Sequence, residues 1–248
     1  MKDRLVVVVA LGVGLLVWLA AADRMGPLLL PEPQAVLRAL WTERARLSVA
    51  TGQTALAATI GLAIASLGAV LTALAAWSSR GLARALLPYI TLLQVVPIVA
   101  VAPLLVVWLG YGPPVAATTA AIAAFYPVYS AASTGLRAPG SDLVDLLHLY
   151  GAPPLRVLWD LRLPAALPAL FSGLRTAAGL SVIGAIVGEF VGSNGIPPAL
   201  GQVVVASARS ARMDLCFAAI VAAGALALSL HAVLRFAEHR AIGKWYGA

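Results

Sequence analysis

The sequence predicts an all-α, polytopic membrane protein: six transmembrane helices, with a polar helical segment between spans 4 and 5. Three observations carry this. The 248 residues are 61% hydrophobic and only 11% charged, where a soluble domain carries about 25% charged residues. The apolar runs reach the ~20 residues needed to cross a hydrocarbon core ~30 Å thick. They lack the strict alternation of a barrel strand, so helices must satisfy their backbone groups. Finally, charges and Gly/Pro turn signals collect between the runs, leaving one transmembrane domain over 1–248.

The first span, about 5–22, follows Met1-Lys2-Asp3-Arg4 and ends Ala20-Ala21-Ala22. Its run exceeds the ~7–15 residues of a signal-peptide apolar region, so an uncleaved helix is expected. Pro31-Glu32-Pro33 breaks the chain. Val36, Leu37, Leu40, Trp41 and Leu47 then recur at helical spacing among Arg38, Glu43, Arg44 and Arg46. They predict either an interfacial helix or a lead-in to span 2. Span 2, about 54–77, carries small residues at Ala57, Ala58, Gly61, Ala65, Gly68 and Ala69, which let helices approach closely and place it inside the bundle. Span 3, about 86–109, contains Pro88, Pro97 and Pro103. Gly110-Tyr111-Gly112-Pro113-Pro114 turns the chain into span 4, about 115–135, with Pro127 inside.

The polar segment covers 137–162. Pro139-Gly140-Ser141-Asp142 reads as a turn and helix start. That helix is expected to run to about Tyr150 and stop at Gly151. Pro153-Pro154 bars its continuation, and a second short helix from Leu155 leads to span 5, about 165–187. Glu189 to Asp214 is expected to be a loop, and span 6 covers about 215–236.

The formal charge is +7 and the pI about 10.2. The positive charges lie in loops between spans, so they set orientation and do not indicate nucleic-acid binding. Lys2, Arg4, Arg80, Arg84, Arg137, Arg156, Arg162, Arg240 and Lys244 fall on one side; Arg24, Arg38, Arg44, Arg46, Arg209 and Arg212 fall on the other. The excess puts both termini and the polar segment in the cytoplasm. Cys216 is the only cysteine, and His148, His231 and His239 lack metal-ligand spacing. The only lysines, Lys2 and Lys244, follow no glycine-rich phosphate loop.

Within the polar segment one spacing stands out: Asp145-Leu146-Leu147, three residues, Gly151, nine residues, Leu161-Arg162-Leu163-Pro164. It resembles the E-A-A, three residues, G, nine residues, I-x-L-P signature of the membrane subunits of bacterial ABC importers. Every gap is kept, and Gly151, Leu163 and Pro164 match outright. The resemblance continues through Leu30-Pro31-Glu32-Pro33, Pro103-Leu104-Leu105, Trp108-Leu109-Gly110-Tyr111-Gly112, Phe125-Tyr126-Pro127, Gly173-Leu174-Arg175 and Val187-Gly188-Glu189-Phe190-Val191-Gly192. It is to the six-span permeases of nitrate, sulfonate, taurine and thiamine-precursor importers. The 181–192 stretch looks most like members linked to pyrimidine or flavin-type vitamins and precursors. Leu146-Leu147 and Pro197-Pro198 depart from the pattern.

The resemblance implies a bacterial inner-membrane permease that dimerises with a second copy of itself, takes a small solute from a periplasmic or lipid-anchored binding protein, and is driven by a cytoplasmic ABC ATPase dimer. Transport and not catalysis is expected, with no cofactor on this chain and ATP and Mg on the partner. The polar helix then becomes a coupling helix, a rigid knob in the ATPase groove. Gly151 makes its turn, with Ala152 and Pro164 in the signature frame. Leu146, Leu147 and Leu155 give apolar contact, and Asp142, Asp145 and Arg156 give polar fixation. Polar residues within spans mark candidate path positions: Gln94 beside Pro97, Tyr126, Ser130 and Ser181. Glu189, at a span end, is a solvated carboxylate, a partner for Arg209 or Arg212, or a path residue. Arg175 is expected to snorkel toward the cytoplasm.

Two rivals fit less well. A secondary transporter would need coupling-ion carboxylates inside spans, whereas the acids here fall in loops or at span ends. An intramembrane serine hydrolase would need more than Gly179-Leu180-Ser181 and a distant His231.

Overall fold

The computed structural model describes residues 2–192 and 198–246; the side chains of residues 2–5, 7, 8, 11 and 243–246 lie outside that description. Its elements are α1 (Lys2–Met25), α2 (Pro33–Thr42), α3 (Arg44–Ser78), α4 (Arg80–Val95), α5 (Ile98–Leu109), α6 (Pro113–Leu136), α7 (Ser141–Leu149), α8 (Pro154–Val157), a π-helical turn (Leu158–Arg162), α9 (Leu163–Gly192), α10 (Leu200–Arg209) and α11 (Met213–Tyr246). Among the described residues, four helical stretches are long and apolar enough to cross a membrane: Arg44–Ser78, Pro113–Leu136, Pro154–Gly192 and Met213–Ile242. The bent pair α4 and α5 makes a fifth. The first expected span falls within α1.

The core is α3, α6 and α9, with α6 and α9 packed most extensively. Small residues make this possible. Gly184, Gly188 and Gly192 repeat every fourth residue along α9 and lie on one face. A Cβ at Gly184 would sit 2.6 Å from the Thr119 carbonyl oxygen, and one at Gly192 2.6 Å from a Val115 methyl. Opposite them, Val115, Ala116, Thr119 and Ala120 of α6 are buried. Without a hydrophobic drive between helices in lipid, such close backbone approach is what holds a bundle together. On α3 the buried stripe runs Ala50, Thr54, Ala57, Ala58, Gly61, Ala65, Ala69, Ala73 and Ala76, the internal face expected of span 2.

Three expectations need correction. Span 3 is not one helix: α4 and α5 meet at 101°. The cause is Val95-Val96-Pro97. β-Branched residues disfavour helix, and the residue before proline is pushed to extended backbone. Val96 adopts φ −63°, ψ 123°, and Pro97 has no N–H to continue the ladder. The helix near Val36 does not lie free in the interface. Val36 and Ala39 are buried and α2 packs on α11, while Arg44 and Leu47 already belong to α3. Finally, the 189–214 stretch is not all loop. It contains α10, with Leu200 and Val203 fully buried against α9 and α11. Ser193 to Pro197 lie outside the described residues.

Candidate functional site: a projecting polar loop and the groove beside it

At one end of the bundle, α3 and α6 finish and α9 begins. Arg162 ties them together. Its guanidinium donates to the Leu136 carbonyl at the C-terminus of α6, 2.8 Å away. It also lies 5.6 Å from the centre of the Trp77 ring, near the end of α3. A cation there complements the α6 dipole and the face of the indole. The sequence marks Arg162 only as an orienting charge and as a position within Leu161-Arg162-Leu163-Pro164.

From this anchored base the 137–162 segment projects. α7 buries no residue, and Leu143, Leu146, Leu149, Tyr150 and Leu155 are exposed, an apolar surface that this chain leaves uncovered. Leu147 and Ala152 are half-buried; Asp142, Asp145 and Arg156 are exposed. Arg156 pairs with Asp160 at 3.1 Å, and Ser141 donates to Asp142 at 3.3 Å.

Gly151 has φ +74°, the left-handed conformation that ends many helices. Its N–H donates to the His148 carbonyl (2.9 Å), and the Ala152 N–H donates to the Leu147 carbonyl (3.0 Å). These two bonds complete a Schellman motif and satisfy the last carbonyls of α7. The stop therefore falls where the sequence put it. The second short helix begins at Pro154 and passes through the π turn into α9 without a break, so Pro164 lies in the first turn of α9.

The path candidates divide. Gln94, Tyr126 and Ser130 come together in a cavity of about 370 Å³ between α4 and α6. Thr91, Tyr129, Ser133 and Thr134 add polar lining, and Arg84 and Arg137 line the same groove. Arg84 lies about 15 Å along α4 from Gln94 at 1.5 Å per residue, so the arginines mark the end of the groove nearest α7. Among the described residues, no carboxylate lines the groove. Pro97 sits just beyond Gln94, at the α4–α5 bend. Arg84, Arg137, Thr91, Tyr129, Ser133 and Thr134 are not among the path residues expected from the sequence. Their signal was present: Tyr126, Ser130, Ser133, Thr134 and Arg137 recur at helical spacing as a polar stripe.

Ser181 is fully buried and donates to the Ala178 carbonyl of its own helix at 2.9 Å. Glu189 is neither solvated nor paired with an arginine. It is 4% exposed, near the opposite end of α9, and accepts from Thr54 and from the Gly201 N–H. Arg212 pairs instead with Glu43 at 2.9 Å and Asp214 at 3.4 Å. Glu43, first and foremost, holds its guanidinium above the ordinary arginine range. Arg175 pairs with Glu238 of α11 and so ties two helices together.

Residues 65–243 match the family model described as binding-protein-dependent transport system inner membrane component. The chain belongs to this family. It is 36% identical over 245 residues to a probable ABC transporter permease protein of Haemophilus influenzae, covering 98% of this chain and 99% of that one. It is 32% identical over 183 residues to the formylaminopyrimidine transport permease protein ThiX of Halalkalibacterium halodurans, 73% of each chain. With the taurine transport system permease protein TauC of Escherichia coli the identity is 30% over 246 residues, 96% of this chain and 88% of that one. Family membership makes this chain a multi-pass membrane component of an ABC importer, a transport subunit that works with an ATPase and a binding protein.

Proposed function

We propose that this chain passes a small polar solute from a periplasmic binding protein to the cytoplasm, along the α4–α6 groove, while α7 transmits the motion of a cytoplasmic ATPase dimer. The observation that carries the reading is the uncovered apolar surface of Leu143, Leu146, Leu149 and Leu155, on a helix fixed by a Schellman turn and based on the Arg162 anchor. A helix that buries nothing of its own is built to be buried by a partner. The coupling end, where the arginines concentrate, faces the cytoplasm. Two copies of the chain would face each other across the path.

The groove offers hydroxyls, one amide and two guanidinium groups. It suits a solute rich in hydrogen-bond acceptors. Pyrimidine precursors and flavin-type vitamins fit that description, as do taurine, sulfonates and nitrate, and the relatives' names point both ways. ATP and Mg belong to the ATPase, and this chain holds no cofactor of its own.

The test is reconstitution in proteoliposomes with the cognate ATPase and binding protein, against a panel of formylaminopyrimidine, riboflavin and taurine. ATP hydrolysis is expected only with the ATPase present, and is stimulated by the loaded binding protein. Robust hydrolysis by the purified chain alone overturns the reading.

A further inference from the structure

α10 caps itself only in part: Gln202 Oε1 accepts from the Ala199 N–H at 3.4 Å, but the next two amides find no acceptor of their own. Its N-cap residue is Ala199, whose methyl group accepts nothing. The first amides of a helix have no partner within it, and here they are buried: Leu200 and Gly201 both lie inside the bundle. Two other helices supply the acceptors. The Leu200 N–H donates to Thr54 Oγ1 of α3 at 3.0 Å. The Gly201 N–H donates to Glu189 Oε2 of α9 at 2.8 Å. The Thr54 hydroxyl donates to the same Oε2 at 3.0 Å. Thr54 is fully buried. One hydroxyl and one carboxylate oxygen thus join α3, α9 and α10 in a closed set of three bonds.

The steric fit is equally close. A Cβ at Gly201 would lie 2.7 Å from the Ile186 carbonyl oxygen and 2.8 Å from Glu189 Cβ, so α10 rests directly on α9. Beyond the other end of α10, Arg212 bonds to Glu43 just ahead of α3. Held this way, α10 presents Gln202, Ala206 and Arg209 to a cavity of about 270 Å³, with Arg46 and Glu189 also on its wall. This cavity lies at the end of the bundle opposite α7.

We propose that Glu189 and Thr54 are a positioning pair: they clamp α10, and the clamp sets the mouth of the bundle opposite the coupling loop. Glu189 acts through its hydrogen bonds and its reach, not as a charge that meets the solute. The clamp stands apart from the transport reading; only its consequence for transport rests on that reading.

The deciding comparison is Glu189→Gln against Glu189→Asp. Gln keeps the length and an acceptor oxygen while removing the charge. Asp keeps the charge and withdraws the oxygen by one methylene. A reporter cysteine at Ala206, in a Cys216→Ser background, reads the mouth through its rate of labelling by a membrane-impermeant maleimide. This readout needs no ATPase. Binding-protein-stimulated ATPase activity of the reconstituted complex is the second readout. Glu189→Gln and Thr54→Ser are expected to match the parent. Glu189→Asp and Thr54→Val are expected to change labelling by about tenfold, the scale of one lost buried cap, and to lose stimulation while basal hydrolysis persists. Glu189→Asp behaving like the parent while Glu189→Gln fails would assign Glu189 a charge role and overturn the proposal. So would parental labelling in Thr54→Val. Altered labelling with no transport in any reconstitution would sink the transport reading and leave the clamp standing.

Discussion

Replacing Gly151 separates the coupling loop from the rest of the fold. The backbone there has φ +74°, and a Cβ built on it meets nothing within 4 Å. The cost of a side chain is therefore conformational and not steric. A left-handed backbone costs an L-residue about 1–2 kcal/mol, less for Asn and more for a β-branched residue. A destabilisation of that size shifts a two-state population by about 5–30-fold. α7 buries no residue, so no core contact opposes the shift, and local opening of such a helix is already cheap. Transport in proteoliposomes at matched protein levels is expected to fall in the order Gly151→Asn, Gly151→Ala, Gly151→Val, with the Val variant at a tenth or less of the parent, on the order of the population shift. Membrane insertion and dimerisation should be unchanged, because the α3–α6–α9 core lies elsewhere. Co-purification with the ATPase should weaken in the same order. Parental transport by Gly151→Val at equal levels would show that the turn plays no part in coupling.

Other perturbations probe other parts of the fold. Arg162→Ala removes the bond to the Leu136 carbonyl and the contact with Trp77, and should lower thermal stability by about 1–3 kcal/mol and weaken ATPase assembly; Arg162→Lys, lacking the planar fork, should rescue only partly. Ala211 holds φ +56° at the end of α10, so Ala211→Gly should raise stability by up to about 1 kcal/mol in a thermal melt. With Cys216→Ser, a single cysteine at Ser210 should react with an impermeant thiol reagent applied to spheroplasts while one at Ser141 does not; the reverse pattern inverts the orientation. Gln94→Ala should raise the KM for transport and leave ATPase co-purification intact, since Gln94 lies in the groove and far from α7.

The helices and the end of α7 were legible because they depend on local chemistry. Hydropathy over 20 residues and a Gly followed by Pro153-Pro154 need no knowledge of distant contacts. The bend at Pro97 was not legible. Pro88, Pro103 and Pro127 all sit inside helices, so a proline alone does not announce a break; the preceding Val95-Val96 pair makes the difference, and that was read only as apolar. α10 was hidden for a different reason. Its sequence is short, and its first buried amides are capped by Thr54 and Glu189 of other helices.

The polar residues show the same division. Gln94, Tyr126 and Ser130 share a groove because α4 and α6 are adjacent, and their helical spacing gave a hint. Ser181 could not be told from them by sequence, since a serine bonded to its own helix and one facing a path look alike. Glu189 shows what distance conceals. Thr54, Glu189 and Gly201 meet only because α9 carries one end of the bundle to the other. That same helix starts at the Arg162 anchor, packs against α6 through Gly184, Gly188 and Gly192, and ends at the α10 clamp. Close-packed interiors transmit displacement with little compression. Under the proposed coupling, a push delivered at Pro164 would be carried along α9, and the contact that would yield or follow is the one with α10. On the proposed coupling reading, the α7 loop and the Glu189 clamp lie at the two ends of one helix, and a variant that frees α10 should change what the ATPase can do without touching α7.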